Sequence, residues 1–235
     1  MVRESEQWDI LYDLIISSGH DSSVQPQDEV NPRLFTLAMN NIGMLGEAEA
    51  LGNAIDLSGC KRMVDAGGGS GLYSLVLCRK HPELSSTVFD RRETLMTARE
   101  MITGSEEESR IELVEADISK DPLGNDTDVI LLSDVVYERS FAEKVLDNAH
   151  RSLSDRGLLI VRGYYSDPEN LKPLFGTLFR LNQIMVNPEG SYLTLLSLHE
   201  MVADMGFIIM RVAPLTELSF LILARKKIAN DSLTV

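Results

Sequence analysis

Apolar positions recur at two different spacings along the chain, and the change from one to the other divides it. Near the start, Trp8, Leu11, Leu14 and Ile15 fall at helical spacing before the polar, proline-containing run SSGHDSSVQPQDEVNP breaks the pattern. Residues 1–30 therefore read as a short helical segment followed by a linker. Beyond the break, Leu34, Ala38, Ile42, Leu45, Leu51 and Ile55 make one largely apolar stripe, and Pro32 is well placed for a helix start. The stripe predicts a helix that packs on the region C-terminal to it.

From Lys61 the texture alternates between short apolar runs and amphipathic stretches. RMVDA (62–66), STVFD (86–90), RIELVEAD (110–117), TDVILLSD (127–134) and GLLIVRG (157–163) read as strands, with helices between them around 72–80, 92–102 and 140–153. Such alternation implies parallel strands joined by right-handed crossovers, with helices on both faces. The fold class is α/β, a doubly wound, Rossmann-like sheet. A last helix, SLHEMVADMG, ends at Gly206, and the runs FIIMRVAP and LSFLILAR then lie too close together for a helical crossover. They should run antiparallel, giving seven strands in all. Residues 166–195 lack strand texture and carry Phe175, Leu178, Phe179, Leu181, Met185 and Tyr192, which suits an insertion over the sheet. One domain over 31–228 and a tail at 229–235 complete the division.

Composition narrows the partners. The 235 residues carry 22 Lys and Arg against 36 Asp and Glu, a formal charge of −14, with the cations scattered. A nucleic-acid partner would call for a clustered basic footprint, so none is expected, and an acidic membrane surface would repel the chain. No apolar run approaches the roughly 18 residues that span a bilayer, and the opening MVRESEQWDI has neither the charge layout nor the apolar stretch of a signal peptide. A cytoplasmic location is the expectation. Cys60 and Cys78 sit in unrelated contexts, without the spacing of a zinc site or a disulfide framework, and read as small core hydrophobes. No metal is expected.

The chemistry concentrates in MVDAGGGSG (63–71), an apolar strand with an acid near its tip and then a glycine turn leading into the helix LYSLVLCRK. Without Cβ atoms the backbone can turn sharply and let a bulky ligand approach the strand end. Three uses compete. A phosphate-binding P-loop requires Gly-Lys followed by Ser or Thr, which is missing, and the dinucleotide pattern fails because Leu72 stands where its third glycine would fall. The spacing Asp65-x-Gly67-x-Gly69-x-Gly71 instead resembles the first motif of S-adenosylmethionine-dependent methyltransferases. Downstream, Asp90 closes the second strand, where a carboxylate accepts both hydroxyls of an adenosine ribose. An Asp closing a strand commonly does no more than cap a turn, so the weight rests on several acids falling in register.

The similarity extends over about four fifths of the chain: LFTLAMN (34–40), the glycine loop, DVILLSDVVYE (128–138), GLLIV (157–161) and GSYLTLLSLHEMVADMGF (190–207) resemble, in order, the catalytic domain of the small-molecule O-methyltransferases of phenolic and hydroxyindole compounds. The resemblance implies S-adenosylmethionine as cofactor and a small, fairly apolar acceptor. It further implies that Asp117 binds the adenine amino group, Ile118 packs on the ring, Ser133 lines the methionine end, Asp65 reaches the amino group directly or through water, and Phe35 and Met39 face the cofactor. Where the family carries a histidine base, this chain has Tyr137, and its second, supporting glutamate is absent from the stretch at 190–194. With an ordinary pKa near 10, tyrosine is a poor base at neutral pH, so Tyr137 is expected to orient the acceptor or, beside a cation, to take part. About thirty residues precede the matching helix where the family carries a winged-helix dimerisation module, which leaves a homodimer open. Two alternatives stand beside an active methyltransferase: a cofactor-binding protein without turnover, and an NAD-linked enzyme.

Overall fold

The computed structural model describes residues 31–167 and 172–228, so the expected helix around Trp8, the linker, His20 and the tail at 229–235 lie outside the described residues. Helix α1 (Pro32–Ile42) starts as the sequence predicts: the Asn31 side chain accepts from the backbone N–H groups of Arg33 and Leu34, and Pro32 opens the first turn. The stripe does not continue as one straight helix. A π-turn over Gly43–Glu47, with Gly46 at φ 115°, redirects the chain into α2 (Ala48–Ala54). Leu51 and Ile55 are buried as expected, but Leu34, Ala38 and Leu45 are exposed, and Thr36, Asn40 and Glu47 are buried instead. The reason lies in what these residues meet: α1 lies along the later helix Arg92–Ile102 and is tied to the glycine loop through Asn40, while Glu47 of the π-turn reaches a buried arginine.

Seven strands build the sheet: β1 (Arg62–Ala66), β2 (Ser85–Asp90), β3 (Ile111–Glu115), β4 (Thr127–Ser133), β5 (Leu153–Gly163), β6 (Phe207–Pro214) and β7 (Phe220–Lys226). They lie in the order β3-β2-β1-β4-β5-β7-β6. The first five are parallel, and β7 runs antiparallel to both β5 and β6, as the short connection after β6 requires. The helices α3 (Leu72–Lys80), α4 (Arg92–Ile102), α5 (Arg139–Ser152), α6 (Leu174–Val186) and α7 (Leu195–Asp204) cover it.

Because side chains alternate across a strand, β1, β4 and β5 each feed two cores. Val64, Ala66, Ile130, Leu132, Leu159 and Val161 pack with Ala142, Val145, Leu146 and Ala149 of α5 and with Leu198 and Val202 of α7. Met63, Val129, Leu131 and Ile160 face the other way, onto Leu51 of α2 and Leu77 and Cys78 of α3. The segment expected to lie over the sheet is largely α6, whose Phe175 and Phe179 rings approach Tyr164 at 4.8 and 5.6 Å. Strand order reverses between β1 and β4, and ligands of doubly wound sheets bind outside the carboxyl ends of the strands at such a switch point.

Candidate active site

A cleft opens at that point, lined by the glycine turn, by Phe35, Thr36, Met39 and Asn40 of α1, by Asp90 and Arg91 after β2, and by Ser133, Asp134, Tyr73 and Tyr164. The turn is shaped by glycines in left-handed conformations that side chains rarely adopt. Gly67 has φ 73°, and a Cβ there would stand 2.7 Å from a Val135 methyl and 3.4 Å from Ile118 Cδ1. Gly69, at φ 59°, has open space on its Cβ side, so that side of the backbone is free for a ligand. Gly71 precedes α3 at φ 75° and abuts Ile102. Asp90 braces the turn: its Oδ2 accepts from Gly69 N at 2.9 Å and its Oδ1 from Arg91 N at 2.7 Å. A carboxylate offers about four acceptor sites, so two remain for hydroxyl groups in the cleft. From the other side, Ser70 Oγ donates to Asn40 Oδ1 at 2.9 Å, tying α1 to the loop.

Ser133, Phe35 and Met39 line this cleft, as do Gly67, Gly69 and Asp90. Asp65 lies elsewhere than expected. Strand alternation turns it under the turn onto α3, where Oδ2 accepts from Ser74 Oγ at 2.7 Å, Oδ1 has no partner, and a Cβ on Gly68 would sit 2.6 Å from its carboxyl carbon. Burial, with the nearby Asp90 charge, pushes its pKa up to about 6 against the pull of Ser74. Asp65 thus supports the floor of the turn.

Asp117 and Ile118 are also set back. The Asp117 carboxylate is occupied by its own turn, accepting from Lys120 Nζ at 2.6 Å and from Ser119 Oγ and N at 2.6 and 3.0 Å, which hold its pKa down to about 2. Ile118 is buried in the core below Gly67, and Asn148 of α5 pins the same turn by donating to the Ile118 and Asp121 carbonyls. Both therefore flank the β3 end of the site from outside the cleft wall.

Tyr137 is buried, and its hydroxyl is fully used. It donates to Asp134 Oδ1 at 2.6 Å and accepts from Tyr164 N at 2.9 Å, between the rings of Tyr165 and Phe179. Burial and the adjacent Asp134 charge drive its pKa well above the ordinary tyrosine value. The hydroxyl is thus engaged with Asp134 and the Tyr164 backbone, Tyr137 is not among the residues lining the cleft, and its contact braces Asp134. A cation does lie nearby, but it is bonded to Asp134.

That cation, Arg162, anchors a cluster that sequence reasoning missed. It is completely buried at the end of β5, with one guanidinium nitrogen on Asp134 and another on Glu47 from the π-turn. The Tyr164 ring lies 4.3 Å from its guanidinium carbon. Glu47 is held in turn by Thr216 Oγ1 and Ser219 Oγ, each at 2.5 Å, and although burial opposes it, these donors and Arg162 keep its pKa low. An arginine in the apolar run GLLIVRG was the available signal, because a buried charge requires partners. Nothing in the sequence pointed to Glu47. None of the described histidines lines the cleft, and His150 instead packs edge-on against Phe207.

Comparison with known proteins agrees with this architecture. The chain is 32% identical over 140 residues to 3-hydroxy-5-methyl-1-naphthoate 3-O-methyltransferase of Streptomyces sahachiroi, covering 59% of this chain and 41% of that protein. It is 30% identical over 156 residues to acetylserotonin O-methyltransferase of Homo sapiens, covering 66% and 44%. The chain thus spans less than half the length of these relatives. Among solved structures, human N-acetylserotonin methyltransferase in complex with SAM superposes with a TM-score of 0.79 at 24% identity, over 96% of this chain and 68% of that one. The family model for the O-methyltransferase domain matches residues 3–208. With the sheet order, the glycine turn and most of its length in agreement, the chain belongs to the O-methyltransferase domain family.

Proposed function

We propose that this protein transfers a methyl group from S-adenosylmethionine to a small, fairly apolar acceptor, at an oxygen. The observation that carries the reading is the Gly69–Asp90 pair, a turn open to the cleft and braced by a carboxylate with acceptor sites to spare. The residues present fit the cofactor. Asp90 suits the ribose hydroxyls, the open side of Gly69 would admit the chain between ribose and sulfur, and Ser133, Phe35 and Met39, which line the same cleft, would border the methionine end and face the cofactor. Asp117 and Ile118 would border the adenine, and Asp65 would act through the loop it supports. When bound, the cofactor supplies a sulfonium methyl group. The chain supplies position and dryness: α1, tied to Ser70, covers one side, and Tyr164 lines the cleft with the Phe175 and Phe179 rings packed on it. Displacement at a methyl carbon depends chiefly on alignment and exclusion of water, which these groups provide. The relatives named above are named for O-methylation, which supports oxygen as the target.

The test is incubation of the protein with S-adenosylmethionine and a panel of phenols and hydroxylated bicyclic aromatics. S-adenosylhomocysteine should appear with at least one acceptor, and its absence across the panel despite cofactor binding contradicts the reading. A binding protein without turnover is the second reading, favoured by the full occupation of the Tyr137 hydroxyl. We infer no nucleic-acid partner from the acidic composition and propose a cytoplasmic location; no helix among the described residues is long and apolar enough to cross a membrane. Exposed Leu34, Met44, Leu45, Leu174 and Leu178 support a homodimer, which sedimentation would detect.

A further inference from the structure

We propose that Asp134 is the group that takes the proton from the acceptor's hydroxyl, held ready for it by Arg162 and Tyr137. The proposal rests on the methyltransferase reading above, with oxygen as the atom methylated. Of the buried cluster, only Asp134 both carries an ionisable carboxylate and reaches the cleft: its side chain is 27% exposed, where that of Arg162 is 0% and that of Glu47 is 5%. It stands at the end of β4, next to Ser133 and Tyr164, on the opposite side of the glycine turn from Asp90. A ligand with its ribose at Asp90 and its reactive end across the turn therefore presents that end to Asp134.

The carboxylate is held, yet has capacity left. Arg162 donates to Oδ2 and the Tyr137 hydroxyl to Oδ1, so about two of its four acceptor sites remain. Its backbone is also held in a conformation that non-glycine residues seldom adopt, with φ 58°, and its N–H donates to the Arg162 carbonyl at 2.9 Å. Strain of this kind persists where surrounding contacts over-determine a position, and it concentrates at working sites. The charged and titratable groups facing Asp134 are Arg162 from β5, Glu47 from the π-turn, Tyr73 from α3, Tyr137 from the loop after β4, and Tyr164 and Tyr165 from the loop after β5. Arg162 is the one cation among them.

The chemistry suits a weak base. As the acceptor oxygen's lone pair forms the new O–C bond, the carbon's bond to sulfur breaks and that pair stays on sulfur. The hydroxyl becomes strongly acidic as this proceeds, so its proton can pass late to an Asp134 oxygen, and from there to solvent. A histidine is then unnecessary, which would account for an O-methyltransferase domain with Tyr137 where the resemblance leads one to expect a histidine.

The experiment uses the full chain and Asp134→Asn, with phenol and 4-nitrophenol as probes. 4-Nitrophenol ionises near neutrality without help, so the substitution should cut turnover of phenol by about 10²–10⁴-fold and that of 4-nitrophenol by about tenfold or less, while S-adenosylmethionine affinity changes little. A second readout needs no cofactor. The Asp134 charge should favour the neutral form of bound 4-nitrophenol, and Asp134→Asn should raise the bound coloured phenolate about tenfold or more. Equal loss on both probes, no loss, or an unchanged phenolate fraction overturns the proposal. If the wild type methylates neither probe nor any acceptor of the panel above, the proposed function fails, and the phenolate fraction still decides the place of Asp134. Should Asp134→Asn not fold, Asp134→Glu keeps the charge but displaces it; a rate on phenol lowered by about tenfold or more supports the proposal, and a wild-type rate overturns it.

Discussion

Replacing Arg162 by methionine tests the cluster that joins the helical cap to the sheet. The side chain is wholly buried and holds Glu47 and Asp134, residues that are far from it in sequence and on different elements. Methionine fills much of the same volume without charge, leaving two carboxylates near one another with no cation between them. Removing one partner of a buried pair costs about 3–5 kcal/mol, compared with about 0–1 kcal/mol for an exposed pair. For a chain of this size each kcal/mol shifts the melting temperature by about 2–4 °C, so a fall of about 6–20 °C is expected. The loss should depend on pH. With Arg162 gone, both carboxylates bind protons more tightly folded than unfolded, so stability falls as pH rises and the gap from wild type is wider at about pH 8 than at about pH 5. Thermal unfolding monitored by circular dichroism at the two pH values measures this. A loss below about 1 kcal/mol, equal at both, would refute the assignment of Arg162 as the cluster's counter-ion.

The same geometry sets three further outcomes. Tyr137→Phe should cost about 1–3 kcal/mol by leaving Asp134 and the Tyr164 N–H each short of a partner, and should lower kcat by less than about tenfold; a loss of about 10²-fold or more would identify Tyr137 as a base after all. Gly67→Ala places a methyl 2.7 Å from Val135 in a left-handed conformation, which should weaken cofactor binding and lower stability by about 1–3 kcal/mol, with Val135→Ala restoring part of the stability. Asp65, raised from 3.8 to about 6, binds its proton more tightly when folded, so stability should fall by about 3 kcal/mol as pH rises through that interval. Asp65→Asn should flatten this part of the stability profile, and an unchanged slope would show that Asp65 does not produce it.

What the sequence reveals and what it hides differ in range. The strands are legible because each is a local apolar run: RMVDA matches β1 residue for residue, and the two late runs pair as their short connection demands. The glycine turn is legible because its conformations require glycine at fixed spacing. Burial on α1 is not, since Leu34 and Ala38 of its apolar stripe are exposed while the polar Thr36 and Asn40 are buried beside the glycine loop. Asp117 carries the motif's position but finds its donors two and three residues away, a local competition that spacing does not reveal. The Glu47–Arg162 contact joins residues 115 positions apart, and only folding brings them together. Asp134, one residue beyond Ser133, has no motif signal of its own, since the resemblance directs attention to Tyr137 three residues later.

The central claim, that the cleft between Asp90 and Asp134 holds S-adenosylmethionine, is tested most directly by isothermal titration of the wild-type chain and Asp90→Ala. The account predicts one saturable site on the wild type with Kd below about 1 mM, weakened about tenfold or more in the variant, and no comparable heat with NAD. Absence of binding at that concentration, equal affinity in the variant, or preference for NAD would contradict it.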